Sequence, residues 1–401
     1  MFLKIKLSLL ISFFIHSINL FAQDLTETTN ESVSYFQDGI NYEYAPANFK
    51  TKFRFRMQNR FTYQTENTEN LSAEIAELNV RRLRLRLDGT VKDPRLLYRI
   101  QLSFTRGDMD YDRTQYPNIL RDAVVGWKLS EQTTLWYGQT KLPGNRQRVI
   151  SSGAQEFVDR SLVNSTFNID RDLGAQVHHR TGEEKPLWIK LAVSNGEGRS
   201  TDNRNNGLAY TSRIEWLPLG KFSNDGDYFE ADLAWETSPK LSIGGVYSLN
   251  KKTTRPGGQT GTQFTTTDLS RDLETWFADV MFKYKGFSWS SEYARRWASD
   301  PVFTDGSSTV SIFKGEGFNT QMGYVFRNNI QPAIRYTILR ADDEILSREN
   351  HRNQYAIGLS KYFDSHKVKI QSDLTYDEQT NPSRIVDTKF WSYRLQLEIG
   401  I

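Results

Sequence analysis

The chain has 401 residues, no cysteine, and 51 Lys and Arg against 48 Asp and Glu, a formal net charge of +3. That near-balance excludes a general nucleic-acid binder, and the missing cysteines exclude a fold that relies on disulfides. No run beyond the first residues reaches the ~18 apolar residues a spanning helix needs, while a transmembrane β-barrel, whose signal is alternation, remains open at a mean hydropathy of −0.60.

Residues 1–22 read as a secretory signal peptide. Lys4 and Lys6 precede an apolar run from Leu7 to Phe14, and Ala22 places the mature start at Gln23. Residues 23–49 are acidic and polar without a sustained period, which fits an extended periplasmic segment or a lumenal plug. From residue 50 to 401 short alternating segments recur.

The most informative stretch opens that region. Lys52, Arg54, Arg56, Gln58 and Arg60 alternate with Phe53, Phe55, Met57, Asn59 and Phe61; farther on, Arg82, Arg84 and Arg86 alternate with Leu83, Leu85 and Leu87. A period of two sends the cations to one face of a β-ribbon and the apolar groups to the other. The pattern fits a soluble sandwich with wet arginines or a barrel with arginines lining a lumen.

Further strands are expected near 95–106, 120–129, 132–140, 172–180, 187–195, 207–217, 240–250, 273–285, 286–297, 317–327, 330–340, 352–363, 367–377 and 388–401, after 51–64 and 78–88. Most have the length a tilted strand needs to cross a bilayer. Short turns such as Ser130-Glu131 and Lys285-Gly286 alternate with long loops at 65–77, 107–119, 141–171, 196–206, 251–272, 298–316, 341–351 and 378–387. This rhythm decides between the two readings, because a sandwich has no reason to lengthen every second loop. The expected fold is all-β: a transmembrane antiparallel β-barrel of about sixteen strands with short periplasmic turns and long extracellular loops. Residues 228–236 also alternate, but a strand there makes the count odd, so 218–239 is assigned to a periplasmic excursion. Trp127, Trp136, Tyr137, Trp216, Trp235, Trp276, Trp289, Trp297 and Trp391 fall mostly near strand ends, as interfacial girdles require.

Pairing the first two strands gathers Lys52, Arg54, Arg56, Arg60, Arg82, Arg84 and Arg86 on one wall, a candidate anion path. Like charges across strands repel, so acidic side chains on the facing wall, water or passing anions must compensate, with Glu215, Asp279, Glu292, Asp373 and Glu398 as the candidate acids. Loop 141–171 is too long for a hairpin. Its Val149, Ile150, Phe157, Val158, Leu162 and Phe167 signal packing, either inward against the barrel wall, where Lys141, Arg146, Arg148, Arg160 and Arg171 would narrow the pore, or as a small external cluster of a surface loop.

Other motifs carry less. Residues 108–112, DMDYD, lack the glycine and closing glutamate of a calcium loop and read as a solvated acidic tip. Gly196 and Gly198 read as a turn, and the adjacent His178 and His179 point to opposite faces of a strand. No combination assembles a metal centre or a catalytic base with its nucleophile.

Five segments resemble the phosphate-selective porin O and P family: GINYEYAPANFKTKFRFRMQNRF at 39–61, RRLRLRLDGTV at 81–91, YGQTKLPGN at 137–145, FVDRSL at 157–162 and SEYARRW at 291–297. The resemblance implies a sixteen-stranded outer-membrane porin with an inward loop after strand five, usually assembled as a homotrimer. It carries the arginine ladder onto Arg54, Arg56, Arg82, Arg84 and Arg86, with Arg160 in the loop. Family members outside the founding group need not select phosphate, and Ile401 stands where a barrel insertion signal typically has an aromatic.

The expectation is therefore a diffusion porin of a Gram-negative outer membrane, surrounded by lipid. It would have no cofactor and no enzymatic activity, and would favour small anions such as phosphate or polyphosphate. The alternative is a surface binding or uptake module that presents its long loops to a glycan or other partner above a non-selective pore.

Overall fold

The computed structural model describes residues 31–34, 39–110, 117–201, 205–383 and 386–401. The leader at 1–22 and Asp112 of the acidic motif lie outside them. Among the described residues the strands are β1 Glu31–Ser34, β2 Ile40–Tyr44, β3 Phe49–Thr65, β4 Ala73–Val91, β5 Asp93–Ser103, β6 Leu120–Lys128, β7 Thr133–Lys141, β8 Arg171–Thr181, β9 Leu187–Ser194 and β10 Ala209–Trp216. They continue as β11 Lys240–Thr253, β12 Arg271–Tyr284, β13 Phe287–Ala298, β14 Val302–Asp305, β15 Ser308–Ser311, β16 Gly315–Tyr324, β17 Ile330–Ala341, β18 His351–Asp364, β19 Val368–Asn381 and β20 Val386–Gly400.

Each strand from β3 to β13 pairs antiparallel with the next, β13 pairs with β16, and the series runs on to β20. β20 returns to β3 from Ser392↔Gln64 to Gly400↔Arg56, which closes a sixteen-stranded barrel. Closure satisfies every strand edge, the condition for placing a sheet in lipid. Below the end of β20, β3 instead pairs with β2, from Ile40↔Phe53 to Tyr44↔Phe49. The polar stretch expected to be extended or a plug thus ends in a strand.

The alternation dictates what faces where. Trp276, Ile334 and Leu359 are exposed on the outside, whereas Asp279, Gln331 and Ser360 on the same strands are buried inside. Turn chemistry agrees with the loop rhythm: Lys285 and Gly286 both have positive φ, 48° and 87°, as a two-residue hairpin between β12 and β13 requires. Residues 217–239 form no strand; they contain a 3₁₀ turn, Ser223–Tyr228, and fold into the barrel from the short-turn end.

The long connection after β7 turns inward as well, carrying short helices α1, Arg146–Val149, and α2, Leu162–Phe167. Ser161 caps α2 by accepting from the Asn164 amide. Val163 and Phe167 pack on Ala192, Val246, Phe277, Ala294 and Leu339, all from the inner wall. Burying each large apolar side chain is worth about 1.5–3 kcal/mol, and this anchors a polar loop inside a wet lumen. At the long-loop end, Phe264 packs with Ile312 and Phe303, joining the loop after β11 to the β14–β15 hairpin.

Two expectations fail here. Trp136 points into the lumen and Trp235 sits in the 217–239 connection, so neither belongs to an interfacial girdle, whereas Trp127, Trp216, Trp276 and Trp297 are exposed outward. The described part of the acidic tip, 108–110, is not free in solvent either, because Asp108 is 6% exposed and folds back onto arginines.

Candidate functional site: the arginine wall and the lumenal constriction

β3 and β4 bring their cations into direct register, Arg54↔Arg86, Arg56↔Arg84 and Gln58↔Arg82. Like charges at that separation destabilise a sheet unless something neutralises them. Asp88 lies between Arg54 and Arg86 at 2.5 and 2.7 Å. Asp108 takes Arg84 at 2.5 Å and Arg121 at 3.5 Å. Arg56 donates to the Ser151 and Ser152 hydroxyls at 3.0 and 2.7 Å and stands 3.7 Å from Glu398. Gln58 spaces the ladder, accepting from Arg82 at 2.7 Å and donating to Glu398 at 2.8 Å. Lys52 occupies the same face at the short-turn end, opposite Asp88 in the register.

Besides the Ser151 and Ser152 hydroxyls, the inward loop offers this wall one carboxylate. Asp159 accepts from Arg60 at 2.5 Å and lies 3.4 Å from Arg394 and 3.9 Å from Arg82. Burial pushes its carboxyl upward, but Arg60, Arg81, Arg394 and Arg82 outweigh that and hold it well below the usual carboxylate range. Asp108 is held low in the same way, against burial, by Arg84, Arg121 and Arg82.

The loop cations divide into two groups. Arg148 pairs with Asp170 at 2.8 Å, Arg171 with Asp122 at 3.0 Å, Arg160 donates to the Gln147 and Ile150 carbonyls at 2.6 and 2.9 Å, and Lys141 donates to the Val149 carbonyl at 3.0 Å. These four border the open lumen. Arg146 does not: it is 2% exposed and locked against Asp279 at 2.9 Å, Glu215 at 3.4 Å and the Ser242 hydroxyl at 2.6 Å. It is a loop anchor, because the far wall supplies two carboxylates where the near wall supplies cations.

The acids expected to face the ladder have mostly the same anchoring role. Glu215 and Asp279 hold Arg146 and Arg213, Glu292 accepts from Asn145 at 3.0 Å, and Asp373 takes the Val158 amide at 3.0 Å. Only Glu398, on the strand next to β3, borders the ladder. Loop and acids therefore fill one side of the barrel, and the passage runs along the arginines.

That passage consists of two cavities. The inner one, toward the short turns, measures about 610 Å³ and is lined by twelve Arg and Lys side chains against two carboxylates, Asp122 and Glu398. The outer one, toward the long loops, measures about 520 Å³ and has nine arginines against five carboxylates. The residues common to both linings are Arg84, Arg121, Arg148 and Arg160. Where the two spaces meet, every shared side chain is a guanidinium.

Residues 49–399 match the family model described as phosphate-selective porin O and P. The chain belongs to that family. No curated protein sequence matches this porin. Its barrel is similar to those of OmpT, an outer membrane protein of Vibrio cholerae (11% identity, 88% of this chain, 99% of that one, TM-score 0.53), and the outer membrane channel DcaP of Acinetobacter baumannii (13%, 88%, 97%, 0.53). An anion-selective porin from Comamonas acidovorans is also similar (8%, 88%, 99%, 0.54). At these identities the likeness establishes the fold, and the family and fold together make the chain an outer-membrane porin.

Eight cations lining this porin's passage were not among the expected site residues: Arg81, Arg99, Arg121, Lys190, Arg199, Arg255, Lys367 and Arg394. Arg99 lies on β5 in the same alternation as the ladder, so the signal was present. Arg121 had none: β6 carries a bulge opposite Gln101 and Leu102, which turns Arg121 and Asp122 inward together.

Proposed function

We propose that this porin is a passive diffusion channel that favours small anions such as phosphate. The observation carrying the proposal is the meeting of two cavities at Arg84, Arg121, Arg148 and Arg160, with the larger surplus of positive charge on the inner side. Guanidinium groups keep their charge and present forked donors suited to phosphate and carboxylate oxygens. A series of such groups lets an anion exchange partners without being held too tightly at one. The ladder Arg54, Arg56, Arg82, Arg84 and Arg86 leads to this point from both sides, with Arg60 ordered behind it by Asp159.

The family description and the anion-selective Comamonas acidovorans relative support the same reading. A homotrimer is proposed with it, since one similar structure is an OmpT trimer form. The test is the zero-current potential of purified protein in planar bilayers across a KCl gradient. The sign for chloride is expected, with an anion-to-cation permeability ratio of about ten or more; a cation-selective sign or no channel refutes the proposal. The alternative of a surface-binding module draws on the apolar-cored lobe formed by the two loops around Phe264 and Ile312. Deleting 251–272 and 298–316 abolishes surface binding on that alternative and leaves anion conductance on the one preferred here.

A further inference from the structure

The inner cavity contains more than a phosphate path needs. Besides its cations it is walled by Trp136, His178, Tyr228 and Phe229, which come from β7, β8 and the inward 217–239 connection. The Trp136 indole and the His178 ring lie 6.4 Å apart, and Phe229 stacks on His366 at 5.0 Å. Inorganic phosphate gains nothing from such faces, and holding apolar rings against a water-filled passage is unfavourable unless something covers them. A volume of about 610 Å³ falls in the range of small-molecule sites, which combine apolar walls with a few fixed polar groups.

Arg99 connects the two kinds of surface. Its guanidinium carbon sits 5.6 Å from the centroid of the Trp136 ring. Among the described residues it has no carboxylate within salt-bridge distance, and its buried Nε has no hydrogen-bond partner. A cation held over a ring, with a donor unspent, matches a ligand with a flat apolar body and an anionic group at its edge.

We propose that the inner cavity is a binding subsite for small aromatic anions, a ring bearing a carboxylate or phosphate ester. The ring lies against Trp136 and Phe229, and the anionic group against Arg99 and the neighbouring ladder. This rests on the porin reading and adds a substrate class to it.

The test compares phenyl phosphate with methyl phosphate, equal in charge and differing in the ring, as blockers of chloride current through purified protein in planar bilayers. Phenyl phosphate is expected to half-block at a concentration about tenfold lower. Trp136→Ala, measured relative to its own open-channel current, brings the two within about twofold, and Trp136→Phe preserves most of the difference. Equal block of the wild type by both esters, or a preference unchanged in Trp136→Ala, overturns the proposal. The wild-type comparison decides the matter even where a variant fails to insert. Absence of any chloride current overturns the porin reading itself, so the two failures are distinct.

Discussion

Asp159 carries much of the order of the constriction, because Arg60, Arg82 and Arg394 all converge on this one loop carboxylate. Removing its charge leaves buried guanidinium groups uncompensated, a change that costs about 3–5 kcal/mol where a buried pair is broken. Asp159→Asn is therefore expected to loosen residues 157–162, read as faster amide hydrogen exchange there with the barrel strands unchanged. A second loop carboxyl behaves oppositely. Burial, reinforced by Glu230, raises Glu156 from 4.5 to about 7, while its oxygens accept from Gln331 at 2.6 Å and Gln321 at 3.0 Å. A value raised in the folded state means protonation favours the docked loop. That contribution is fully present below about pH 4.5 and is lost as pH rises through about 7. Exchange in the same segment should accelerate between about pH 4.5 and 7 after correction for the intrinsic rate, and Glu156→Gln should abolish the excess. At this scale the ladder was legible, since a period of two is local. Asp159 was not, because a single acid in a polar loop gives no sign of three arginines arriving from strands remote in sequence.

The two inward connections form one plug. The Glu230 amide donates to the Ala154 carbonyl at 2.9 Å, the Glu156 amide to Glu230 at 2.8 Å, and Arg146 to the Asp227 carbonyl at 3.1 Å. The sequence showed that 218–239 was no barrel strand, because parity and the flanking Pro218 and Pro239 said so. Its inward fold was hidden, since Asp227, Glu230, Asp232 and Glu236 look like a solvated turn until their distant partners are known. The apolar residues of 141–171 signalled a packed loop, but an external cluster would have buried them as well; the inward choice follows from Val163 and Phe167 meeting the inner wall. The wall makes room for them: a Cβ built at Gly317 on β16 would come within 2.8 Å of the Phe167 ring and 3.0 Å of Val163. Gly317→Val should thus lift α2 from the wall, at about 1–3 kcal/mol of overpacking. Single-channel conductance should rise and anion preference fall; an unchanged conductance would show that α2 does not set the pore width.

For the molecule as a whole, strand count and most membrane-facing sides were legible, because the alternation recurs in sixteen strands and the long loops recur eight times, so that each repeat corrects the others. The path was legible only as a wall. That one side of the barrel is filled, leaving two cavities joined at Arg84, Arg121, Arg148 and Arg160, depends on contacts between segments far apart in the chain. The central claim is that this junction sets the preference for anions. It is tested most directly by the zero-current potential in a KCl gradient for wild type and for the double variant Arg84→Gln, Arg160→Gln. The expected result is a shift from strong chloride preference toward equal permeability, a loss of about tenfold or more in the permeability ratio. An unchanged ratio in a variant that still conducts would contradict the account.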